Sequence, residues 1–410
     1  TVFEGGKWSG SLESRTGIAL QQDLEILGTL YAEEQLSLNG KTVKAQSAFI
    51  DGLEVQKGRL IVEDNIYVDG TLTMANSEDY VFCGGDFNVR TQGEGIENGT
   101  IEIQGDLVQI KYSNRDYCSE VNINNTIVFS GERSKYIQFV GTLTVKNIVN
   151  RSTGSLQLYS TYLRNPLQIT GICIDETGTV YGDTYIQVAS IDQLEGEWSW
   201  SGMVSLKGEL NLTHDIQIAG NLRLPEGGRL NGYSLRTDDL TFYKCLYTDG
   251  GQIVCDGNLN VNGELILEDE TEIVYVGGNL CLNYNGAYGE PIQGGIVEVK
   301  GNVWVNSNQN KWIEKCTLVL SGTEEQRVGG SLRVAKLINR NKGKVCFQDV
   351  VYVTESCTDE TGTVEVLPKY ELKGICLEST TSITDGRWSG NVIIEEDAVL
   401  NQDLVVGSNL

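Results

Sequence analysis

Residues able to do chemistry are few in this chain and loosely grouped. There is one histidine, His214, in Asn211-Leu212-Thr213-His214-Asp215. A Ser-His-Asp triad would have to be built around it alone, and a cluster of imidazole ligands is excluded. Carboxylates could act in pairs on a glycosidic bond. They gather in Glu268-Asp269-Glu270-Thr271, Asp175-Glu176-Thr177, Asp359-Glu360-Thr361 and Glu395-Glu396-Asp397. With 56 acidic residues in the chain, such groups arise by chance, and exposed turns are their ordinary place. Asp175, Glu176, Asp359 and Glu360 could also offer oxygens to calcium at corners, although neither an EF-hand loop nor a Gly-Gly-x-Gly-x-Asp repeat is present.

Two other residue classes could serve a site. Tyr275, Tyr284, Tyr288, Trp304 and Trp312 could stack on sugar rings from an exposed face, with packing under loops as the plainer alternative. Ten cysteines occur, at 83, 118, 173, 245, 255, 281, 316, 346, 357 and 376, without any Cys-x-x-Cys spacing. Several replace Val or Leu at inward positions, Cys281 in Asn279-Leu280-Cys281-Leu282 among them, so buried free thiols acting as small apolar groups are expected. Cys357 and Cys376 lie 19 residues apart and are the best candidates for a stacked pair. No P-loop is present, and Gly93-Glu94-Gly95 does not open a helix, so no cofactor is expected.

The chain has 410 residues and a formal net charge of −25, with an isoelectric point near 4.4. A field of that sign repels phosphate backbones and anionic lipid, and no run reaches the roughly 18 apolar residues of a membrane span. Nucleic-acid binding and membrane insertion of this segment are not expected. The acidity is spread along the chain, as suits a well-solvated, aggregation-resistant surface.

What positions these residues is a phrase written over and over: a glycine, a polar residue, then apolar residues two apart. It reads Gly85-Asp-Phe-Asn-Val, Gly141-Thr-Leu-Thr-Val, Gly220-Asn-Leu-Arg-Leu, Gly257-Asn-Leu-Asn-Val, Gly278-Asn-Leu-Cys-Leu and Gly301-Asn-Val-Trp-Val, among others. Alternate apolar residues point to one face of a strand, and glycine suits a corner, often at φ > 0. No window keeps a helical apolar period. The 48 glycines against four prolines fit many short strands joined at corners.

The phrase sits inside a much longer repeat. Residues 71–89, TLTMANSEDYVFCGGDFNV, align without gaps on residues 264–282, ELILEDETEIVYVGGNLCL. Asp-Glu-Thr-Gly-Thr-Val stands at both 175–180 and 359–364, and Trp-Ser-Gly follows Trp8, Trp200 and Trp388. The spacing predicts a first large repeat over 1–194, a second over 195–384, and the start of a third over 385–410. Both ends read as cut from a longer array. The expected fold is all-β, a right-handed parallel β-solenoid in which like residues pile up coil upon coil. At roughly 20 residues per coil and about 4.8 Å per step, the rod would be on the order of 100 Å long. Tandem β-sandwich domains are the alternative.

The block Leu36-Ser-Leu-Asn-Gly40, followed by Gly58-Arg-Leu-Ile-Val, Gly70-Thr-Leu-Thr-Met and Glu78-Asp-Tyr-Val-Phe-Cys-Gly-Gly-Asp-Phe87, resembles the large repeat-bearing surface or secreted proteins of Clostridia, Paenibacillus and relatives. Later parts of that pattern fall on Gly99–Leu107, on Phe129-Ser130-Gly131 with Gln138, and on Leu320-Ser321-Gly322 with Gln326. The resemblance covers about 110 residues of each large repeat. Cys83 stands where that type has an apolar residue, and the Trp-Ser-Gly segments have no counterpart in it. It implies an extracellular, envelope-associated fibre and no reaction. Polysaccharide-cutting β-helix enzymes are the catalytic rival, but their Gly-His-Gly is absent. The nearest approach to the Arg-x-Pro-x-x-Arg of the lyases is Arg164-Asn165-Pro166, without a second arginine. The expected role is therefore a non-enzymatic stalk or fibre segment at the cell surface that self-associates along or beside its axis. A glycan-binding adhesin and a polysaccharide-degrading enzyme are the alternatives.

Overall fold

The computed structural model describes residues 2–3, 5–89, 98–109, 120–139, 142–160, 166–182, 184–194, 200–283, 290–306, 311–365, 374–377, 382–383, 387–394 and 405–407. The fold is a parallel β-solenoid. Apart from one 3-10 turn at Ile191–Gln193, every regular element among the described residues is a strand. Strands pair in parallel with the strand one coil on, from Val2–Phe3 against Ile18–Leu20 to Ile375–Leu377 against Val392–Ile394. Antiparallel hairpins, which tandem sandwiches would need, are absent among the described residues. The chain divides into two compact units, Thr1–Ser205 and Leu206–Leu410.

The alternation of apolar residues builds each interior. In the first unit Leu24, Val43, Leu60, Val81, Ile101, Ile127, Ile148 and Cys173 stand in one file, 17–26 residues apart in sequence. All are buried. In the second unit the corresponding file is Leu222, Leu240, Leu259, Leu280, Val303, Val328 and Phe347. Identical spacing along each strand puts every second side chain into the file, so coil length varies in the loops and never in the strand.

The recurring glycine has a different cause from the one its sequence suggests. Gly257, Gly278 and Gly301 do not have positive φ. A Cβ on Gly278 would lie 2.7 Å from the Gly257 carbonyl carbon, and one on Gly301 would lie 2.4 Å from the Gly278 oxygen. Glycine is required because successive corners touch, as their N–H···O bonds of 2.7 and 2.9 Å confirm. The residue after it completes the corner. Asn258 Oδ1 accepts the backbone N–H of Asn279 at 2.9 Å, Asn279 Oδ1 that of Asn302 at 2.8 Å, and Asn302 Oδ1 that of Arg327 at 2.8 Å. The first unit carries the same ladder through Asn65, Asp86 and Asp106 to the Tyr136 amide. Gly-Asn and Gly-Asp are thus one device for stacking corners.

Three expectations from sequence need correction. Cys357 and Cys376 are free and do not stack: Cys376 lies over Tyr352, and Cys357 over Leu337, because the 19-residue interval spans a bulged coil. Cys281 points outward, half-buried between the buried Leu280 and Leu282. In the Leu-Ser-Gly segment, the residue equivalent to Gln326 is Lys135, not Gln138, because Ile137 and Val328 occupy matching places over Leu107 and Val303. Cys83 does fill an apolar site: it is fully buried, and burial pushes its thiol up to about 12.

Candidate functional site

The most concentrated polar chemistry in either unit is a buried constellation that each builds from the same residues. In the first unit the strand Thr142–Asn150 ends directly beneath the end of Cys173–Asp175, so Asn150 lies under Asp175. Both are fully buried. Asn150 Nδ2 donates to Asp175 Oδ1 at 2.8 Å, and the amide of Gly178 donates to the same oxygen at 3.0 Å. Ser201 Oγ donates to Asp175 Oδ2 at 2.6 Å and in turn accepts the Val180 amide at 2.9 Å. Asn150 Oδ1 takes the Ser152 amide at 3.1 Å.

The second unit repeats this bond for bond. Asn339 Nδ2 donates to Asp359 Oδ1 at 2.7 Å and the Gly362 amide donates to it at 2.9 Å. Ser389 donates to Asp359 Oδ2 through its hydroxyl, and through its backbone amide at 3.0 Å. Ser389 Oγ accepts the Val364 amide at 3.0 Å, and Asn339 Oδ1 accepts the Asn341 amide at 3.0 Å. At the rim, Arg151 pairs with Glu176 at 2.9 Å and Arg340 with Glu360 at 3.0 Å. A buried carboxylate is costly unless its oxygens are filled. Here both oxygens of each are filled from within the chain.

The Trp-Ser-Gly segments find their purpose here. The serine is the one that reaches the aspartate, while Trp200 and Trp388 are fully buried beside it. Each indole folds back over the glycine two residues on: a Cβ at Gly202 would meet Trp200 Nε1 at 2.9 Å and Val180 Cγ1 at 3.0 Å. At Gly390 the same atoms of Trp388 and Val364 lie at 3.2 and 2.4 Å. Next to each constellation sits a further buried contact whose chemistry differs between the units. Lys135 Nζ donates to Ser152 Oγ at 2.7 Å, whereas Asn341 Nδ2 donates to Gln326 Oε1 at 2.7 Å.

Asp175 and Asp359 therefore face inward onto amides and hydroxyls, while Glu176 and Glu360 face solvent and pair with arginines. Among the described residues, no three His, Cys, Asp or Glu side chains converge as a metal site. Glu268-Asp269-Glu270-Thr271 is an exposed turn in which Asp269 Oδ1 accepts the Thr271 amide at 2.8 Å. Glu395-Glu396-Asp397 and Arg164-Asn165 lie outside the described residues. His214 sits exposed in a turn, with Nδ1 3.1 Å from Thr213 Oγ1.

The aromatic candidates are dispersed. Tyr275 and Trp304 are half-buried on different sheets, Tyr275 beside Glu298 and Trp304 with its ring over Gly329. Trp312 belongs to the strand Lys311–Leu320, and Tyr284 and Tyr288 lie outside the described residues. The exposed aromatics are elsewhere, on the 12-stranded sheet of the first unit. Tyr31, Phe49 and Tyr67 occupy one file with centroids 5.3 and 4.7 Å apart and rings within 9° of parallel. Tyr159 continues that file, and Tyr181 stands on the neighbouring strand, 58% exposed. Their spacing of 18 residues from Tyr31 to Phe49 and again to Tyr67 is the signal that would have found them.

No protein-family model, no curated protein and no solved structure matches the chain.

Proposed function

We propose that the chain is a mechanical segment, a stalk or fibre part of a large secreted bacterial surface protein, with no catalytic activity and no required cofactor. The observation that carries this reading is the doubled Asn-Asp-Ser constellation. The polar groups that could have formed a reactive centre are turned inward, and every acceptor of the two aspartates ties one coil to the next. A catalytic acid or nucleophile needs an open approach and a perturbing environment near substrate, whereas these groups are closed off by tryptophan. The acidic exterior then serves to keep neighbouring stacks apart, and coil edges offer a route to self-association along the axis.

A second reading, a glycan-binding adhesin, draws support from Tyr31, Phe49, Tyr159 and Tyr181 on one exposed sheet. The rings of Tyr31, Phe49 and Tyr67 stack on one another, however, so most of their faces are already covered, and sugar stacking needs an open face. Force-extension measurements on the intact chain, paired with a glycan array and turnover assays on acidic polysaccharides, separate the readings. The spacer reading expects high unfolding forces, an empty array and no turnover. Specific glycan binding abolished by Tyr159→Ala would replace it with the adhesin, and turnover would replace it with an enzyme.

A further inference from the structure

Trp8-Ser9-Gly10 is the third copy of the segment that closes each constellation, yet it closes nothing. Trp200 and Trp388 are fully buried, whereas Trp8 is 50% exposed. Its indole already folds toward Gly10, whose Cβ would lie 3.4 Å from Nε1, and the freed N–H donates to Ser11 O at 3.2 Å. The strand Gly6–Trp8 pairs with Leu24–Ile26 on one side only. The coil is thus preformed in the closing geometry, with its apolar ring and serine hydroxyl unmatched.

We propose that this coil is the seat for another repeat unit of the same kind set ahead of it in one polypeptide. The final Asp-Glu-Thr-Gly-Thr-Val coil of that unit would give its aspartate to Ser9 and its valine to Trp8. The occupant follows from the two filled copies, where Ser201 and Ser389 bond Asp175 and Asp359 and the tryptophans pack on Val180 and Val364. A second intact copy of this chain does not fit, because both of its aspartates are already served by its own serines. The inference is independent of what the stack is for.

Two experiments test it. The first fuses residues 1–192, carrying Trp8→Phe, ahead of the complete chain, which reproduces the interval from Trp8 to Trp200. Oxidation of individual tryptophans by N-bromosuccinimide, read by peptide mass spectrometry, then reports burial. Junction Trp8 should become about tenfold or more slower to react than in the unfused chain and should approach Trp200 and Trp388, as local protection predicts. Trp8 remaining fully reactive while Trp200 and Trp388 stay protected would overturn the proposal. The second needs no new junction: Ser199→Lys, Met203→Ser and Val204→Leu rewrite 199–204 as the sequence of 7–12 inside the chain. The Asp175 seat should accept this coil with Trp200 still protected and the melting temperature held. Loss of protection at Trp200 would show that the first coil cannot fill such a seat.

Discussion

A tryptophan, a serine and an aspartate, none of them near one another in sequence terms that suggest chemistry, form the tightest polar contact in each unit. Their pairing was illegible in the sequence because Asp175 and Ser201 lie 26 residues apart, on different coils. The clue was only that both segments recur together. The same residues in three settings allow a direct comparison. Trp200→Ala empties a closed site and should cost about 3–5 kcal/mol, lowering the melting temperature of the first unit by about 2–4 °C for each kcal/mol. Trp8→Ala, at an open site, should stay within about 0.5 kcal/mol of wild type. Thermal melts of the two variants check this, and equal losses would contradict it. Lys135 offers a second comparison. Burial holds its ammonium below the ordinary value of 10.5, Arg133 adds repulsion, and Asp106 opposes both. Between the folded value and 10.5 the unfolded chain binds the proton more readily, so stability rises with pH across that window. Lys135→Gln with Ser152→Asn imports the Gln326–Asn341 pair of the second unit. The double variant should be more stable than wild type at pH 7, and the gap should narrow as pH climbs toward 10.5 in denaturant titrations.

Short strands with every second residue apolar were legible directly, since burial alternates along Tyr80–Cys83, Leu259–Val261 and Ile296–Val299 as the sequence does. The corners were legible in position but not in cause: glycine there answers the coil beneath rather than a demand for φ > 0. The Asn ladder explains why a polar residue follows. An asparagine can accept the amide above it and also donate to the side chain below, as Asn279 Nδ2 does to Asn258 Oδ1 at 3.0 Å. An ionised aspartate can only accept. Where the first unit has Asp86 and Asp106, the second has Asn279 and Asn302. Burial pushes the Asp106 carboxyl up from 3.8, the bond from the Tyr136 amide pulls it back, and the charge of Asp86 pushes it up again. A raised folded value means that ionising Asp106 costs stability, fully so at neutral pH and not at all below 3.8. Asp106→Asn should therefore raise the melting temperature of the first unit at pH 7, with the gain shrinking as the pH approaches 3.8. A loss of stability at pH 7 would show that the ladder needs the carboxylate.

Across the whole molecule, the large repeat and the solenoid were read from aligned blocks alone, because a coil that must match its neighbours keeps its strand spacing while its loops vary. The aromatic site was misplaced for the converse reason: exposure depends on which file a ring joins, and that is fixed by register between coils rather than by nearness in sequence. Coil-spanning ion pairs such as Arg236–Asp256 and Lys344–Glu365 lie on exposed surface, where each contributes little. Cohesion rests on the apolar files and on the two buried constellations. If these are locks rather than reactive sites, their turn amides must be among the last to open, since binding and catalytic segments come from the least stable parts of a fold. Native-state hydrogen exchange of the intact chain measures this at Gly178 and Gly362, turn residues whose amides point at Asp175 and Asp359. The account predicts exchange as slow as that of the central strand amides of the same unit. Exchange as fast as that of freely solvated turn amides would contradict it.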